Sequence, residues 1–414
     1  MECSINTLQG TSSPHNSEQE KKLNDLDSEY PALSLQNNLE GDKTKFFREH
    51  FYQTVSDEKW NDWKWQIANR ISTYEEISKF LDLKVEEKKA MEKQGTHCPF
   101  AITPYYLSLI DLEDQNSALR KTMIPTTNEL IVSKGESEDP LWEEHTSPVE
   151  SIVHRYPDRV LFLTTAFCSC YCRYCTRSHM VDGHTQSLKQ HWQTGIDYIK
   201  NHQEVRDVII SGGDPLTLSD DDIEFLLDSL FSIEHIEMVR IGTKVPMVLP
   251  QRITPNLLRI FRSHKPLYLS VHCTHPDEIT VESSRAINAI ADSGVVMGSQ
   301  TVLLKGVNDD STIMGNLMHK LLKVRIKPYY LFQCDPIIGS KHFRTTVSKG
   351  QDIIHSLRGF TSGYAVPQYV IDAPRGGGKI PILPNYYKGR DKDNLYLYNF
   401  QGKEYSYPDI KEKF

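Results

Sequence analysis

From residue 159 to residue 332 the chain alternates between two textures, and this alternation limits its possible folds more than any other feature. Short β-branched runs at 159–165, 207–211, 238–243, 267–272, 295–303 and 326–332 read as strands. Between them, 187–202, 219–231, 254–263, 281–292 and 311–324 carry apolar residues at helical spacing. Such a series calls for parallel strands joined by right-handed crossovers. Six units are too few for the eight-unit barrel. The expected fold class is therefore α/β, a partial (β/α)6 barrel open on one side. Its chemistry should gather beyond the carboxyl ends of the strands.

The flanks read differently. Residues 1–45 are rich in Ser, Asn, Gln, Glu and Lys, and read as a mobile polar tail. Residues 46–145 form a mainly helical N-terminal region. There Trp60, Trp63, Ile67 and Ile71 recur at helical spacing, which predicts one amphipathic helix. Further helix is expected at 74–80 and 85–94, a buried segment at 103–110, and a Pro- and Glu-rich loop at 125–148. Residues 146–341 then hold the barrel. The C-terminal region, 342–414, carries one helix and a triple-glycine stretch, and is polar after Lys388.

Composition narrows the function. A chain of 414 residues with 38% hydrophobic and 25% charged residues can bury a large core. A net charge of −8 argues against a nucleic-acid partner. There is no apolar run of roughly 18 residues to span a bilayer, and the N-terminus lacks a basic-then-apolar signal pattern. A cytoplasmic, membrane-free protein is expected, and clustered cysteines in that compartment point to metal rather than disulfides.

Such a cluster exists. Four of the eight cysteines fall within Cys168-Ser-Cys-Tyr-Cys-Arg-Tyr-Cys175, directly after the first barrel strand. Cys168, Cys172 and Cys175 stand in a C-x-x-x-C-x-x-C spacing that can turn three thiolates to one point. Three thiolates suit an iron–sulfur cluster with one iron left open. A zinc loop is the alternative, but zinc sites usually take a second pair well downstream, and none is present. Four further features could carry chemistry. Ser211-Gly-Gly-Asp-Pro215 ends the second strand. His154-Arg-Tyr-Pro-Asp-Arg159 has two arginines and a tyrosine that could grip a phosphate. Lys379 follows three glycines and could form an imine or hold a phosphate. Asp335 and Asp372 could converge on a cationic group.

Together these pieces resemble the lysine 2,3-aminomutase family of radical SAM, pyridoxal-phosphate-dependent enzymes. The resemblance spans about residues 46–385. It rests on Trp60-Asn-Asp-Trp63, Ala101-Ile-Thr-Pro-Tyr-Tyr-Leu-Ser-Leu-Ile-Asp111, His154–Arg159, Ser211–Pro215, Leu249-Pro-Gln-Arg-Ile-Thr254, Val302-Leu-Leu-Lys-Gly-Val-Asn-Asp309, His342-Phe-Arg-Thr345 and Thr361-Ser-Gly-Tyr-Ala-Val-Pro367. It implies that Cys168, Cys172 and Cys175 bind a 4Fe–4S cluster whose open iron chelates S-adenosylmethionine, with Cys170 a bystander. Gly212, Gly213 and Asp214 would line the methionine end of that cofactor, with His272 and Gln300 close by. Lys379 would carry pyridoxal phosphate, and Arg155, Tyr156 and Arg159 would bind its phosphate. Arg177 would take the substrate carboxylate, and Asp335 and Asp372 the side-chain ammonium. The implied reaction moves the α-amino group of L-lysine to the β-carbon, giving L-β-lysine, through a 5′-deoxyadenosyl radical and a pyridoxal phosphate aldimine. Arginine and then glutamate are the alternative substrates, and modification of a macromolecule is the alternative class. An electron donor of flavodoxin or ferredoxin type and a homo-oligomer are implied as well.

The chain departs from the family pattern in places. Tyr174 stands where the lysine enzymes often have His. Lys244 and Thr274 stand for Arg and Asn, and either could affect substrate or cofactor geometry. Arg375 replaces a glycine and would bring a cation near the ammonium site. Asp310 stands where relatives can carry a zinc-binding cysteine, and the C-terminus has no cysteine, so no structural zinc is expected.

Overall fold

The computed structural model describes residues 40–92, 98–181 and 188–410. Nine strands form one sheet in strict sequence order: β1 (Ile152–Tyr156), β2 (Arg159–Thr165), β3 (Asp207–Gly212), β4 (Met238–Thr243), β5 (Leu267–His272), β6 (Val296–Leu303), β7 (Lys327–Gln333), β8 (Gln368–Ala373) and β9 (Gly378–Pro381). Every neighbouring pair from β2 to β8 is parallel. The six expected strands are thus all present, and β8 adds a seventh parallel one. β1 and β9 close the two ends as antiparallel strands.

Helices α2 (Lys189–Asn201), α3 (Asp220–Phe231), α4 (Pro255–Ser263), α5 (Val281–Asp292), α6 (Ser311–Lys323) and α7 (Val347–Leu357) fill the crossovers; α1 (Asp42–Phe51) precedes them. Their starts are written in the sequence. Ser219 caps α3 through the Asp222 N–H, Thr254 caps α4 ahead of Pro255, and Thr346 caps α7 through the Lys349 N–H. Each buries one stripe; α4 sinks Leu257, Leu258, Ile260 and Phe261 against the sheet. At the start of α6, the Asp310 carboxylate accepts the N–H groups of Thr312 (2.8 Å) and Ile313 (3.1 Å). Asp310 thus serves as a helix cap.

The sheet curls until its two edge strands meet. The Tyr156 hydroxyl on β1 accepts the Lys379 N–H on β9 at 2.9 Å. Gly378 makes this contact possible: its φ is +78°, and a Cβ there would sit 3.0 Å from the Tyr156 hydroxyl. The side expected to be open is therefore bridged at this point.

The N-terminal region departs in detail from expectation. The first described helix starts at Asp42, inside the stretch read as tail, whose residues 1–39 lie outside those described. The helix expected across 60–71 is two short ones, Asp57–Trp60 and Trp63–Ala68, because Asp62 caps a new start through the Lys64 N–H at 2.9 Å. The segment 103–110 is buried throughout. After Lys388, where only polar chain was expected, β10 (Tyr387–Arg390), β11 (Asn394–Tyr398) and β12 (Glu404–Pro408) form a separate antiparallel sheet.

Candidate active site

One cavity of about 620 Å3 lies at the barrel mouth and runs along the inner faces of the strands. All fifteen residues singled out from the sequence line it: Cys168, Cys172, Cys175, Arg155, Tyr156, Arg159, Arg177, Gly212, Gly213, Asp214, His272, Gln300, Asp335, Asp372 and Lys379. They come from eight strands and the loops that follow them, so it is the sheet topology that brings together residues as far apart in the chain as Arg155 and Lys379.

At one end stands the cysteine loop. The N-terminal region clamps it from behind. The Arg173 guanidinium, fully buried, is held by the Glu129 carboxylate (2.5 Å at Nη2), the Pro99 carbonyl (2.7 Å) and the Cys98 carbonyl (3.1 Å). Arg70 donates to the Cys168 carbonyl at 2.7 Å, and the Tyr171 N–H to the Ala101 carbonyl. The Cys170 sulfur accepts the Thr103 N–H at 3.4 Å, which gives the bystander a packing role. Burial raises the thiols of Cys168 and Cys172, and pushes that of Cys175 up to about 11. Among the described residues no group of three or more His, Cys, Asp or Glu is already gathered around a metal position. Cys168, Cys172 and Cys175, each half-buried, line the cavity together, and three sulfurs match the soft donor set of an iron–sulfur cluster.

The Gly-Gly-Asp turn serves this loop directly. The Gly213 N–H donates to the Thr165 carbonyl at 2.6 Å and the Asp214 N–H to the Phe167 carbonyl at 2.9 Å. Gly212 holds φ +126°, and a Cβ on it would stand 2.2 Å from the Thr165 carbonyl oxygen. The close approach that needs glycine here is thus backbone to backbone. The Asp214 carboxylate is buried and accepts from the Thr243 hydroxyl (2.6 Å) and from the N–H groups of Lys244 (2.7 Å), Val245 (3.1 Å) and Leu216 (3.2 Å). Next to it the two departures Lys244 and Thr274 turn out to share one partner, Glu278. That carboxylate is wholly buried. It pairs with the Lys244 ammonium, and accepts from the Tyr106 hydroxyl at 2.7 Å, the Thr274 N–H at 2.5 Å and hydroxyl at 3.2 Å, and the His275 N–H at 3.1 Å. Although burial opposes the charge, these partners bring Glu278 down to about 2. His272 lies beside Gln300 in the β5–β6 register; burial and the Lys244 and Arg177 cations push it down to about 4, so it is neutral.

The other end is less complete. Asp372 and Lys379 face each other across the β8–β9 pair, with Nζ 3.2 Å from Oδ1. Burial, and then the Asp372 charge, push Asp335 up to about 7. Arg159 lies over the Tyr156 ring at 3.9 Å and also pairs with Asp158 at 2.7 Å. Arg155 donates one nitrogen to the Leu141 carbonyl, but its Nε is buried with no hydrogen-bond partner among the described residues. An orphaned guanidinium nitrogen beside a second arginine and a tyrosine is the donor set a phosphate would complete. Arg177 is held by Glu143, with Nε and Nη2 each 2.7 Å from a carboxylate oxygen. Arg375, expected near the ammonium site, is instead exposed on the turn with φ +60° and does not line the cavity.

Sequence reasoning missed Glu143 and Glu278. Glu143 sits among the other acidic residues of a loop and carries no local signal. Glu278 could have been suspected only by asking what balances a buried Lys244.

A parallel barrel whose first full strand runs into a three-cysteine loop defines a radical SAM protein, and residues 162–314 match the model of the Radical SAM superfamily. Residues 354–413 match the C-terminal family model described as Lysine-2,3-aminomutase. The chain is 49% identical to the L-lysine 2,3-aminomutase of Clostridium subterminale, over 86% of this chain and 86% of that one. It is 44% identical to that of Bacillus subtilis, over 86% and 76%. It is 43% identical to the glutamate 2,3-aminomutase of Clostridioides difficile, over 84% and 82%. The chain belongs to the lysine 2,3-aminomutase family.

Proposed function

We propose that this chain moves the α-amino group of L-lysine to the β-carbon, as an L-lysine 2,3-aminomutase. The observation that carries the substrate half of the proposal is the pair of carboxylates, Asp335 and Asp372, set in the same cavity as Lys379 and Arg177. When bound, the 4Fe–4S cluster, S-adenosylmethionine and pyridoxal phosphate supply the electron, the hydrogen-abstracting radical and the amine carrier that the migration needs.

The chain's own residues would hold, orient and shield. Cys168, Cys172 and Cys175 hold the cluster and leave a fourth position for S-adenosylmethionine. Gly212, Gly213 and Asp214 line its methionine end, with His272 and Gln300 beside it. Lys379 carries the pyridoxal phosphate, and Arg155, Tyr156 and Arg159 take its phosphate. Arg177 takes the substrate carboxylate. Asp372, which pairs with Lys379 Nζ at 3.2 Å in the ligand-free protein, and Asp335 would take the substrate's side-chain ammonium. The same ammonium would keep Asp335 ionised against its raised affinity for a proton. A glutamate side chain would instead add a third anion beside two aspartates, which disfavours it although a relative bears that activity. Fixing both ends of the amino acid sets its β-carbon against the radical source. The same proposal includes a flavodoxin- or ferredoxin-type electron donor and a cytoplasmic, self-associating protein that takes no nucleic acid. Among the described residues no helix is long and apolar enough to cross a membrane.

The test is an anaerobic incubation of the reconstituted protein with S-adenosylmethionine, pyridoxal phosphate, a reductant and L-lysine, with L-β-lysine sought by mass spectrometry. Failure to form any β-isomer from lysine, arginine or glutamate would overturn the aminomutase reading.

A further inference from the structure

Among the carboxylates that line the cavity, Glu143 is one to which the proposed chemistry gives no role. Glu143 enters from the segment before β1 and takes one side of the Arg177 fork: Nε donates to Oε2 and Nη2 to Oε1, both at 2.7 Å. Among the described residues the Arg177 Nη1 has no comparable partner, its contact being the Ser211 hydroxyl at 3.5 Å.

The backbone is shaped to deliver this carboxylate. The Asp139 side chain accepts the N–H groups of Glu143 and Glu144, each at 3.0 Å. The Glu143 carbonyl in turn accepts from the Thr146 N–H (3.1 Å) and the Ser147 hydroxyl (2.6 Å). Between these anchors Trp142 holds φ +57°, a conformation that non-glycine residues rarely adopt, and its ring stacks on His145 at 4.5 Å. Strain of this kind persists where surrounding bonds over-determine it, and it concentrates at functional sites.

A free arginine can offer a carboxylate either its side, Nε with Nη2, or its end, Nη1 with Nη2. With Glu143 on the side, the end remains. We propose that Glu143 is a positioning residue: it clamps the Nε–Nη2 side of Arg177 so that the Nη1–Nη2 end faces the substrate α-carboxylate. This inference rests on the reading that Arg177 binds that carboxylate. Glu143 also offsets the arginine's charge, so recognition becomes directional rather than a general attraction for anions.

The test uses the enzyme loaded with cluster and pyridoxal phosphate. Binding of L-lysine and of L-lysinamide, which lacks the carboxylate, is read from the change in cofactor absorbance, with iron content and melting temperature measured alongside. The wild type should prefer lysine by at least ~10-fold, the worth of one charge-assisted contact. Glu143→Gln, which keeps the shape but loses one acceptor, should weaken lysine by ~10-fold and lysinamide hardly at all, raising KM more than it lowers kcat. Iron content should not change. If the wild type fails to distinguish the two ligands, the Arg177 reading itself fails. If it does distinguish them and Glu143→Gln keeps the full ratio, the reading stands and the positioning role is overturned. Should Glu143→Gln lower the melting temperature, Asp139→Asn decides, since it loosens the turn without touching the arginine. The same loss of lysine preference supports the role, and an unchanged ratio overturns it.

Discussion

The two ends of the cavity are built on different principles. At the cysteine end three buried charges are already balanced by protein partners, although the Arg70 Nε is not. Arg173 is saturated by a carboxylate and two carbonyls, Asp214 by four donors, and Lys244 by a Glu278 that itself accepts from five. At the lysine end the balance is incomplete. The Asp335 carboxyl is raised to about 7, Arg155 Nε has no partner among the described residues, and the Lys379–Asp372 pair is a single 3.2 Å contact. The first end is scaffold, which adds to stability before any cofactor arrives. The second holds charges that only ligands complete, and so couples stability to binding.

The largest effect that would sharpen this contrast is at Lys379. Lys379→Ala should lower turnover by at least ~10³-fold and abolish the bound pyridoxal phosphate absorbance, since no other nucleophile replaces the amine. Iron content should be unaffected, and its loss would break the separation of the two ends. Next in size is Glu278→Gln, which leaves the Lys244 ammonium buried without its counter-charge. Denaturant unfolding should show a loss of about 3 kcal/mol. A loss below about 1 kcal/mol would mean that the cysteine end is not the scaffold described. Because Glu278 is lowered to about 2, its contribution is present above about pH 4 and is lost as the pH falls toward 2.

A smaller effect is expected at Asp335. With its carboxyl raised to about 7, it is mostly protonated at pH 6 and mostly ionised at pH 8. A cationic substrate binds the ionised form, so KM for lysine should rise about tenfold from pH 8 to pH 6. Asp335→Asn should raise KM and flatten that dependence; a slope that survives the substitution would place the titration elsewhere. The sign for folding runs the other way: in the ligand-free protein this group destabilises progressively as pH rises from about 4 to 7. The smallest effect concerns Arg375. Arg375→Gly relieves a left-handed backbone and should stabilise the fold by about 0.5 kcal/mol, after the entropy cost of glycine, with KM unchanged. A raised KM would return Arg375 to the site.

Much of this was legible in the sequence because the barrel strands are β-branched and the helices start on capping residues. The six strands fall within one residue of their expected bounds, from β2 at Arg159–Thr165 to β7 at Lys327–Gln333. The chemistry-bearing residues were legible because metal and phosphate sites need particular residue types close together in the chain. What was lost is non-local or lacks a pattern. β1 was read for its charges, and β9 is four residues long. β12 (Glu404–Pro408) is exposed at every position, so no alternation marks it. The break at Asn61-Asp62 was hidden because Trp60 and Ile71 keep helical spacing across it, and both are buried. Glu143 and Glu278 act on partners 34 residues away, Arg177 and Lys244, through folding alone.

The central claim is that a cysteine-anchored radical source and a doubly acidic pocket act on one cationic amino acid. The most direct measurement is the product ratio from an equimolar mixture of L-lysine, L-arginine and L-glutamate given to the reconstituted wild-type enzyme under anaerobic conditions. The account predicts that L-β-lysine dominates. A mixture dominated by β-glutamate would contradict it, because Asp335 and Asp372 would then be facing a carboxylate.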